Sequence, residues 1–246
     1  MAQLDVMEPP ALESGYLAPT CRATGTLASA RFHPAGYSLW QVSAELGAGA
    51  ELTWEGTHGD EALYILEGTV EAAGQLCGPD GAVVVEADAP ATVRAVTDTR
   101  LLQVGSTSRP RPRTTADAGS PGAPGVHVVD VASGRHVRFE GHPIENVYFA
   151  DSTCPSCQIV LFSVSCDEAH VAASHLHSED EIIHVVDGEL QVGPQTLRAG
   201  MSVAIPAGRR YGFRTPGAYK FINYRRDAST FTGAPGSEPV VEIPVG

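Results

Sequence analysis

An internal repeat constrains the fold of this chain more than any other feature of its sequence. The stretch EALYILEGTVEAAG at 61–74 aligns with EIIHVVDGELQVGP at 181–194, an offset of 120 residues. Both segments place a Glu before a strand-like run and a Gly after six intervening residues. The stretches at 81–94 and 200–213 also align, after a slip of one residue. Self-similarity at a fixed spacing indicates a duplicated structural unit, so we expect two similar domains.

Each half consists of short apolar or alternating runs separated by turn-forming residues. The 246 residues include 26 Gly and 18 Pro, a content that favours many short strands over long helices. No segment keeps an apolar period of about 3.6 residues for three turns, so helices should be few and short. The pattern is typical of a β-sandwich or β-barrel. We therefore predict an all-β protein built from two barrels in tandem.

A change of composition marks the boundary between the halves. Large apolar residues are missing from STSRPRPRTTADAGSPGAP, which follows Gly105, and such a stretch is typical of a linker. We predict an N-terminal barrel at 1–104, a linker at 105–126 and a C-terminal barrel at 127–246.

The charge of the chain excludes several classes of partner. A net charge of −13 argues against nucleic acid or an anionic membrane as the main partner, and leaves small-molecule substrates. No apolar run approaches the roughly 20 residues of a membrane span. The first fifteen residues contain no Lys or Arg, so no signal peptide is visible. We expect a cytoplasmic protein that assembles as a homodimer.

The five cysteines are an odd number in a chain too large to depend on disulfides, and we interpret them as reduced thiols. Cys154 and Cys157 form a Cys-x-x-Cys pair with no second pair nearby. Zinc binding, redox activity and a simple turn between strands are the alternatives. The turn is the favoured interpretation.

The densest polar cluster is HLHSEDE at 175–181. Side chains at i and i+2 of a strand share one face, so His175 and His177 can converge on one point. Glu181 follows after a short turn and can return on the neighbouring strand, also pointing inward. Two imidazoles and a carboxylate form a three-ligand metal face with open positions. A polar turn with solvated histidines is the alternative.

The surrounding spacing resembles the cupin superfamily. His175-x-His177-x3-Glu181-x6-Gly188 is similar to the first cupin motif after its opening Gly, and Gly200-x5-Pro206-x-Gly208 is similar to the start of the second. The resemblance covers about 143–226 strongly and about 33–104 weakly, as in a bicupin. It implies a double-stranded β-helix, or jelly-roll, fold. It also implies that the first three residues bind a divalent metal inside the C-terminal barrel.

The sequence departs from the family at Tyr211, where the second motif normally supplies another His. A phenol has an ordinary pKa of about 10 and binds a metal only if it loses its proton. Tyr211 could be a fourth ligand, a hydrogen-bond donor to substrate, a general acid or base, or a packing residue. We favour a catalytic tyrosine beside the metal that orients substrate or water.

The first barrel lacks this ligand set. Glu55 and Thr57 stand at the positions of the two histidines, while Glu61 is retained. His58 is out of phase by one residue and should face away. A metal on Glu55 and Glu61 is the minor alternative. We expect a degenerate site and a structural role.

Other residues near the motif are candidates for substrate binding. Arg209 could recognise a substrate carboxylate, and alternation from Tyr211 selects Phe213 as pocket lining. His184 should face away from the metal. Asn223 and Tyr224 follow each other on a late strand, so one of them must face inward, but the sequence does not fix which.

These features predict a metal-dependent enzyme acting on a small polar organic molecule. A face of two His and one carboxylate suits Fe(II) and dioxygen, so a dioxygenase-type oxidoreductase is the leading hypothesis. Fe(II) or Mn(II) is the expected ion, with zinc and nickel as alternatives. An isomerase, lyase or hydrolase of the same superfamily is the second hypothesis. A non-catalytic small-molecule-binding cupin is the third.

Overall fold

The structure is a computed structural model that describes residues 4–16, 18–108, 125–138, 143–151, 154, 157–233 and 240–241. The described residues form strands and turns and include no helix. Consequently they contain no helix with the length and hydropathy of a membrane span. The predicted all-β fold is confirmed.

Twenty-five strands are numbered here in chain order. The first thirteen are β1 (Asp5–Met7), β2 (Glu13–Ser14), β3 (Cys21–Thr24), β4 (Leu27–Phe32), β5 (Leu39–Leu46), β6 (Glu51–Trp54), β7 (Glu61–Glu67), β8 (Val70–Ala72), β9 (Gln75–Cys77), β10 (Ala82–Val85), β11 (Ala91–Ala95), β12 (Thr99–Ser106) and β13 (Val126–Val129). The others are β14 (Arg135–Arg138), β15 (Glu145–Ala150), β16 (Val160–Cys166), β17 (His170–His177), β18 (Glu181–Asp187), β19 (Glu189–Val192), β20 (Gln195–Arg198), β21 (Ser202–Ile205), β22 (Tyr211–Thr215), β23 (Tyr219–Arg225), β24 (Thr230–Thr232) and β25 (Val240–Val241).

The described residues divide into two compact units. The N-terminal unit comprises Pro10–Gly134 and Phe149–Ile159, and the C-terminal unit comprises Met1–Pro9, Arg135–Tyr148 and Val160–Gly246. The boundaries of these units differ from the expected domain boundaries because a short strand from each half of the sequence belongs to the unit formed mainly by the other half. β1 completes a sheet of the C-terminal unit, and β13 completes a sheet of the N-terminal unit. Most of the expected linker, residues 109–124, lies outside the described residues.

The N-terminal unit contains a seven-stranded sheet, β13-β10-β7-β12-β5-β4-β2, and a five-stranded sheet, β3-β6-β11-β8-β9. Its strands pair antiparallel, as β7 does with both β10 and β12. Alternate residues of β11 are buried, so one face of that strand packs on the core. The core is continuous and includes the indoles of Trp40 and Trp54.

The C-terminal unit repeats this arrangement. Its sheets have the orders β1-β21-β18-β23-β16-β15-β14 and β20-β19-β22-β17-β24-β25. The core is aromatic and includes Tyr148, Phe162, Phe213, Tyr219 and Phe221. The two sheets hold the candidate ligands, because β17 belongs to one and β18 to the other.

Strand registers show that the offset between the repeats stays at 120 residues. Glu61 pairs with Val85 and Gly105, and Glu181 pairs with Ile205 and Arg225. The predicted one-residue slip is therefore wrong. By register Asp80, with φ 65°, corresponds to Gly200, with φ 86°. The conformation is shared while the residue type is not, which explains why aligning glycines suggested a slip.

Candidate metal centre in the C-terminal unit

The structure brings His175, His177 and Glu181 together in the C-terminal unit. His175 and His177 are buried near the end of β17, whereas Leu176 between them is more exposed, as alternation requires. Glu181 opens β18 and is 1% exposed. It does not return on a neighbouring strand, as the sequence suggested. It approaches from the other sheet, since β18 pairs with β21 and β23 and β17 pairs with β22 and β24.

Hydrogen bonds give both imidazoles a lone pair on Nε2. His175 Nδ1 lies 2.7 Å from the carbonyl oxygen of Ala173. A carbonyl oxygen only accepts, so Nδ1 carries the proton and Nε2 the lone pair. His177 Nε2 lies 3.3 Å from Nη2 of Arg225. A guanidinium only donates, so this Nε2 is also an acceptor.

Arg225 is the functional residue that the sequence analysis missed. Its Nη2 donates to Glu181 Oε2 at 3.1 Å, and the two side chains are 3% and 1% exposed. The guanidinium also lies over the ring of Phe162, with its central carbon 5.6 Å from the ring centroid. One buried cation is therefore shared by two of the three candidate metal ligands.

Glu181 is kept ionised by its neighbours. Burial alone would raise the pKa of Glu181, but the positive charge of Arg225 lowers it. Hydrogen bonds from Tyr211 and Asn223 act in the same direction, and the net pKa lies below its ordinary value of 4.5. The carboxylate is therefore available as an anionic ligand over the whole neutral range.

Tyr211 lies against both histidines and Glu181. It is 8% exposed, and its ring centroid lies 4.5 Å from that of His175 and 6.2 Å from that of His177. The register pairs Tyr211 with His175 across β17 and β22. Its hydroxyl also donates to Glu181, so the phenol contacts the candidate centre directly.

A cavity of about 340 Å³ opens beside these groups. Its walls are largely aromatic and include Tyr148, Phe162, Phe213 and Phe221, as well as Phe231, which stacks on His175 at 5.1 Å. This volume lies near the lower end of the range for small-molecule sites.

Of the other residues considered near the motif, one lines the cavity and two do not. Phe213 lines the cavity, whereas Arg209 lies in the turn before β22 and is absent from the described lining, where Arg225 supplies the cation. His184 Nδ1 lies 2.9 Å from the hydroxyl of Ser202, and its side chain is buried away from the cavity.

Asn223, not Tyr224, faces the cavity. Its Nδ2 donates to Glu181 Oε2 at 2.7 Å, and its buried Oδ1 has no hydrogen-bond partner among the described residues. The offset of 120 residues held a signal for this contact, because Gln103 stands at the corresponding position in the first half.

In the N-terminal unit the corresponding interior is filled by side chains. Glu61 is 1% exposed, and its Oε2 accepts from Trp54 Nε1 at 2.9 Å and from Gln103 Nε2 at 2.5 Å. Glu55 and Thr57 lie beyond the end of β6 and are exposed. Glu55 pairs with Arg22 at 3.4 Å. Glu55 and Glu61 thus do not share a site in this unit.

The donor set of the C-terminal unit fits a divalent cation. Two neutral imidazole nitrogens and an ionised carboxylate are the ligands expected for Fe(II) or Mn(II), and a guanidinium already stands in for a cation between two of them. The fit requires rearrangement. Among the described residues, the one group with ligand atoms all within 4.8 Å of one another is Glu86, Cys154 and Cys157. A metal ion held by all three C-terminal residues would have to replace contacts of Arg225.

The structure corrects the interpretation of the cysteines. Cys154 and Cys157 are joined by a disulfide, with Cα atoms 5.6 Å apart. Cys21, Cys77 and Cys166 are free thiols. The expectation of five reduced thiols is wrong for this pair, because the loop between β15 and β16 brings the two sulfurs together.

Comparisons with known proteins agree with this architecture. Residues 164–223 match the cupin domain family, and no curated protein matches the sequence. Oxalate decarboxylase of Lactobacillus farciminis has a TM-score of 0.68 at 13% identity, covering 95% of this chain and 89% of its own.

Two further solved structures have the same fold. Protein Ylba from E. coli has a TM-score of 0.65 at 11% identity, with 90% of each chain covered. Oxalate decarboxylase of Bacillus subtilis, a protein with Mn(II) centres, has a TM-score of 0.64 at 14% identity, covering 93% of this chain and 78% of its own. Likeness at such identities establishes the fold but not the activity. The chain has the β-barrel fold of these cupin proteins, and its residues 164–223 are similar to a cupin domain.

Proposed function

We propose that the C-terminal barrel is the site of a metal-dependent enzyme acting on a small, negatively charged organic molecule. One observation carries this proposal: His175, His177 and Arg225 line the same aromatic cavity, with Glu181 bonded to Arg225. Imidazoles and a carboxylate suit a divalent metal, and a guanidinium suits a carboxylate or enolate oxygen. A site with both groups can hold a chelating anion by two ends.

The residues of the barrel have distinct roles in this proposal. A divalent metal on His175, His177 and Glu181 would supply Lewis acidity and, as iron, a place for dioxygen. Arg225, once released from Glu181, binds the substrate anion. Tyr211 holds a proton at its hydroxyl, within reach of the same carboxylate, and can donate it to substrate oxygen. Phe213, Phe221 and Phe231 exclude water.

Dioxygenation of an enol-type or similar chelating substrate is the reaction we propose first. Its support is the match between a two-His-one-carboxylate face and Fe(II) chemistry. Isomerisation, lyase chemistry or hydrolysis would instead use the ion, Mn(II) for example, as a Lewis acid without dioxygen. Oxygen uptake by protein loaded with each metal separates them, using a panel of diketones, enols, phenolics and small dicarboxylates. Uptake with iron supports the oxygenase, and turnover with manganese without uptake supports the alternatives.

A second candidate function follows from the position of Arg225. Because its guanidinium already neutralises Glu181, the pocket can also be a metal-free binding site for a small carboxylate. Equilibrium binding of the same panel to metal-stripped protein tests this candidate. Undiminished binding without metal, together with no turnover, would favour a non-catalytic binding protein.

We also propose a bicupin organisation in which the N-terminal barrel is structural and holds no metal. The filled interior around Glu61, Trp54 and Gln103 supports this role. The proposal retains the expected cytoplasmic homodimer. Sedimentation of the purified protein tests the subunit number, because a monomer at micromolar concentration contradicts the homodimer.

A further inference from the structure

We infer a second divalent-cation site in the N-terminal unit, formed by Glu86, Cys154 and Cys157 when the two cysteines are reduced. Their ligand atoms all lie within 4.8 Å of one another. Two thiolates and a carboxylate favour a thiophilic ion such as Zn²⁺. This site is independent of the proposed function of the C-terminal barrel.

Burial and hydrogen bonds hold the carboxylate of Glu86 in place. The side chain is 3% exposed, and its Oε1 lies 2.6 Å from Nε2 of His127. The amide of Gly125 donates to Oε2 at 2.8 Å. Cys154 Sγ lies 4.0 Å from Oε1. A carboxylate oriented by an imidazole is the type of support that metal ligands commonly have.

Asp60 fastens the cysteine loop to the Glu86 segment. Its Oδ1 accepts from the amide of Ala87 at 2.7 Å, and its Oδ2 accepts from the amide of Gln158 at 2.6 Å. One side chain therefore joins the residue after Glu86 to the residue after Cys157. The amide of Cys157 also donates to Cys154 Sγ at 3.1 Å. The three ligands are thus positioned without any contribution from a metal.

The disulfide makes this site dependent on redox state. In the structure the two sulfurs are bonded to each other, and a disulfide sulfur is not a thiolate ligand. A dithiol reductant supplies two electrons and two protons to the disulfide and itself becomes a disulfide. A phosphine supplies the two electrons and takes an oxygen atom from water to become a phosphine oxide, and the two protons of that water complete the two thiols. Binding of a divalent cation then releases those two protons as the thiolates bind. Reduction opens the cation site, and oxidation by a disulfide or peroxide closes it.

Cobalt titration tests the proposal, because Co(II) bound to thiolates gives a near-ultraviolet sulfur-to-metal charge-transfer band that histidine and carboxylate ligands do not give. Metal-stripped full-length protein, reduced with a phosphine, is titrated with Co²⁺ and then with Zn²⁺. We expect the band to grow to saturation and to be abolished by Zn²⁺. The oxidised protein should show no band, which tests the site without any mutation.

Variants assign the band to these residues. Cys154→Ser/Cys157→Ser should abolish it, and Glu86→Gln should weaken binding by roughly 10–100-fold, the range for perturbed metal sites. Cys21→Ser removes a half-buried thiol elsewhere and should leave the band intact, as should His177→Ala in the proposed catalytic centre. Absence of the band in the reduced protein would overturn the proposal. Persistence in the double Cys variant or in the oxidised protein would do the same. If His177→Ala loses metal binding in the C-terminal barrel but retains the band, the two metal sites are distinct.

Discussion

Arg225 is a buried cation paired with Glu181. Removing one member of a buried ion pair leaves the other without compensation, at a cost of about 3–5 kcal/mol. Arg225 and Glu181 are both almost fully buried, so this cost applies to them. If a metal can take the place of the guanidinium, binding of that metal should restore the stability that is lost with Arg225.

Arg225→Gln therefore provides a test of metal replacement. We expect the metal-stripped variant to be less stable than wild type by about 3–5 kcal/mol, and added Mn²⁺ or Fe²⁺ to restore most of the loss. Chemical denaturation with and without metal measures both quantities. Lys220→Gln removes a half-buried cation from the same strand, so it is the matched control and should show neither effect. A destabilised variant that metal does not rescue would show that the guanidinium, not a metal, is the resident cation.

Tyr211→Phe removes one hydroxyl and keeps the aromatic ring against His175. His175, His177 and Glu181 remain, so metal stoichiometry should persist. Turnover should fall by roughly 10²–10⁴, the range for loss of a general acid or base, with little change in melting temperature. Near-normal turnover in this variant, with instability only in Tyr211→Ala, would identify a packing residue. Tyr211→His offers the family's usual ligand, and tighter metal binding with lost activity would support a chemical role for the phenol.

Local spacing predicted the three metal-ligand candidates, whereas long-range register decided what surrounds them. His175 and His177 are close because alternation along β17 puts both on one face, whereas Tyr211 reaches them through the register of β22 against β17. Arg225 lies 44 residues from Glu181, and no local pattern sets the register of β23 against β18. The inward face of that strand therefore emerged only from the structure.

At the scale of elements, equivalent pairs of strands place different residues beside the buried glutamate in the two repeats. β18 and β23 place Arg225 beside Glu181, whereas β7 and β12 place Gly105 beside Glu61. A Cβ atom at Gly105 would lie 2.5 Å from the indole of Trp40, so the N-terminal barrel has no room for a side chain there. Glu61 therefore has no counterpart of Arg225 at the paired position.

The pKa of Glu181 is lowered and that of Glu61 is raised, so the two glutamates should change the stability of the protein in opposite directions as the pH rises. Burial raises the pKa of Glu61 above its ordinary value of 4.5, against hydrogen bonds from Thr20, Trp54 and Gln103 that lower it. A raised folded-state pKa contributes stability that is present below the unfolded value and lost as pH rises through the folded value. Glu61→Gln cannot ionise, so its stability relative to wild type should increase as the pH rises from the ordinary value of 4.5 through the raised folded-state value.

Denaturant unfolding across this range measures the relative stability of wild type and Glu61→Gln. Other titrating groups are shared by both proteins and cancel in the difference. A difference that does not change with pH would show that Glu61 titrates normally in the folded protein.

The strand content was predictable because Gly and Pro punctuate alternating runs throughout the chain. The alignment of the second pair of repeat segments was not, because it relied on matching glycines. The left-handed position that Gly200 fills in one repeat is filled by Asp80 in the other. Aspartate tolerates this conformation better than most residues. The two positions therefore share a backbone conformation, although their residue types differ and suggested a different alignment.

At the scale of the whole molecule, two short strands lie in the unit opposite to their place in the sequence. β1 pairs with β21, and β13 pairs with β10. A boundary drawn from composition could not anticipate this, because the strands are three and four residues long and carry no distinctive pattern.

The exchanged strands predict that cleavage within 105–125 leaves the two fragments associated. Each fragment then carries a strand that completes a sheet of the other unit, so separation would expose two sheet edges. Size-exclusion chromatography after mild proteolysis measures this, and deletion of residues 1–9 before cleavage should weaken the association. Fragments that separate and remain soluble would show that the exchanged strands contribute little.

Metal binding by the oxidised protein reports on the C-terminal ligands alone, because the disulfide removes the cysteine ligands. Metal-stripped protein with Cys154 and Cys157 oxidised is titrated anaerobically with Fe²⁺ and Mn²⁺ by calorimetry, beside His177→Ala and Glu55→Ala. We expect stoichiometric binding by wild type and Glu55→Ala, and its loss in His177→Ala. Binding that survives in His177→Ala but disappears in Glu55→Ala would instead place the metal in the N-terminal barrel and refute the proposed C-terminal centre.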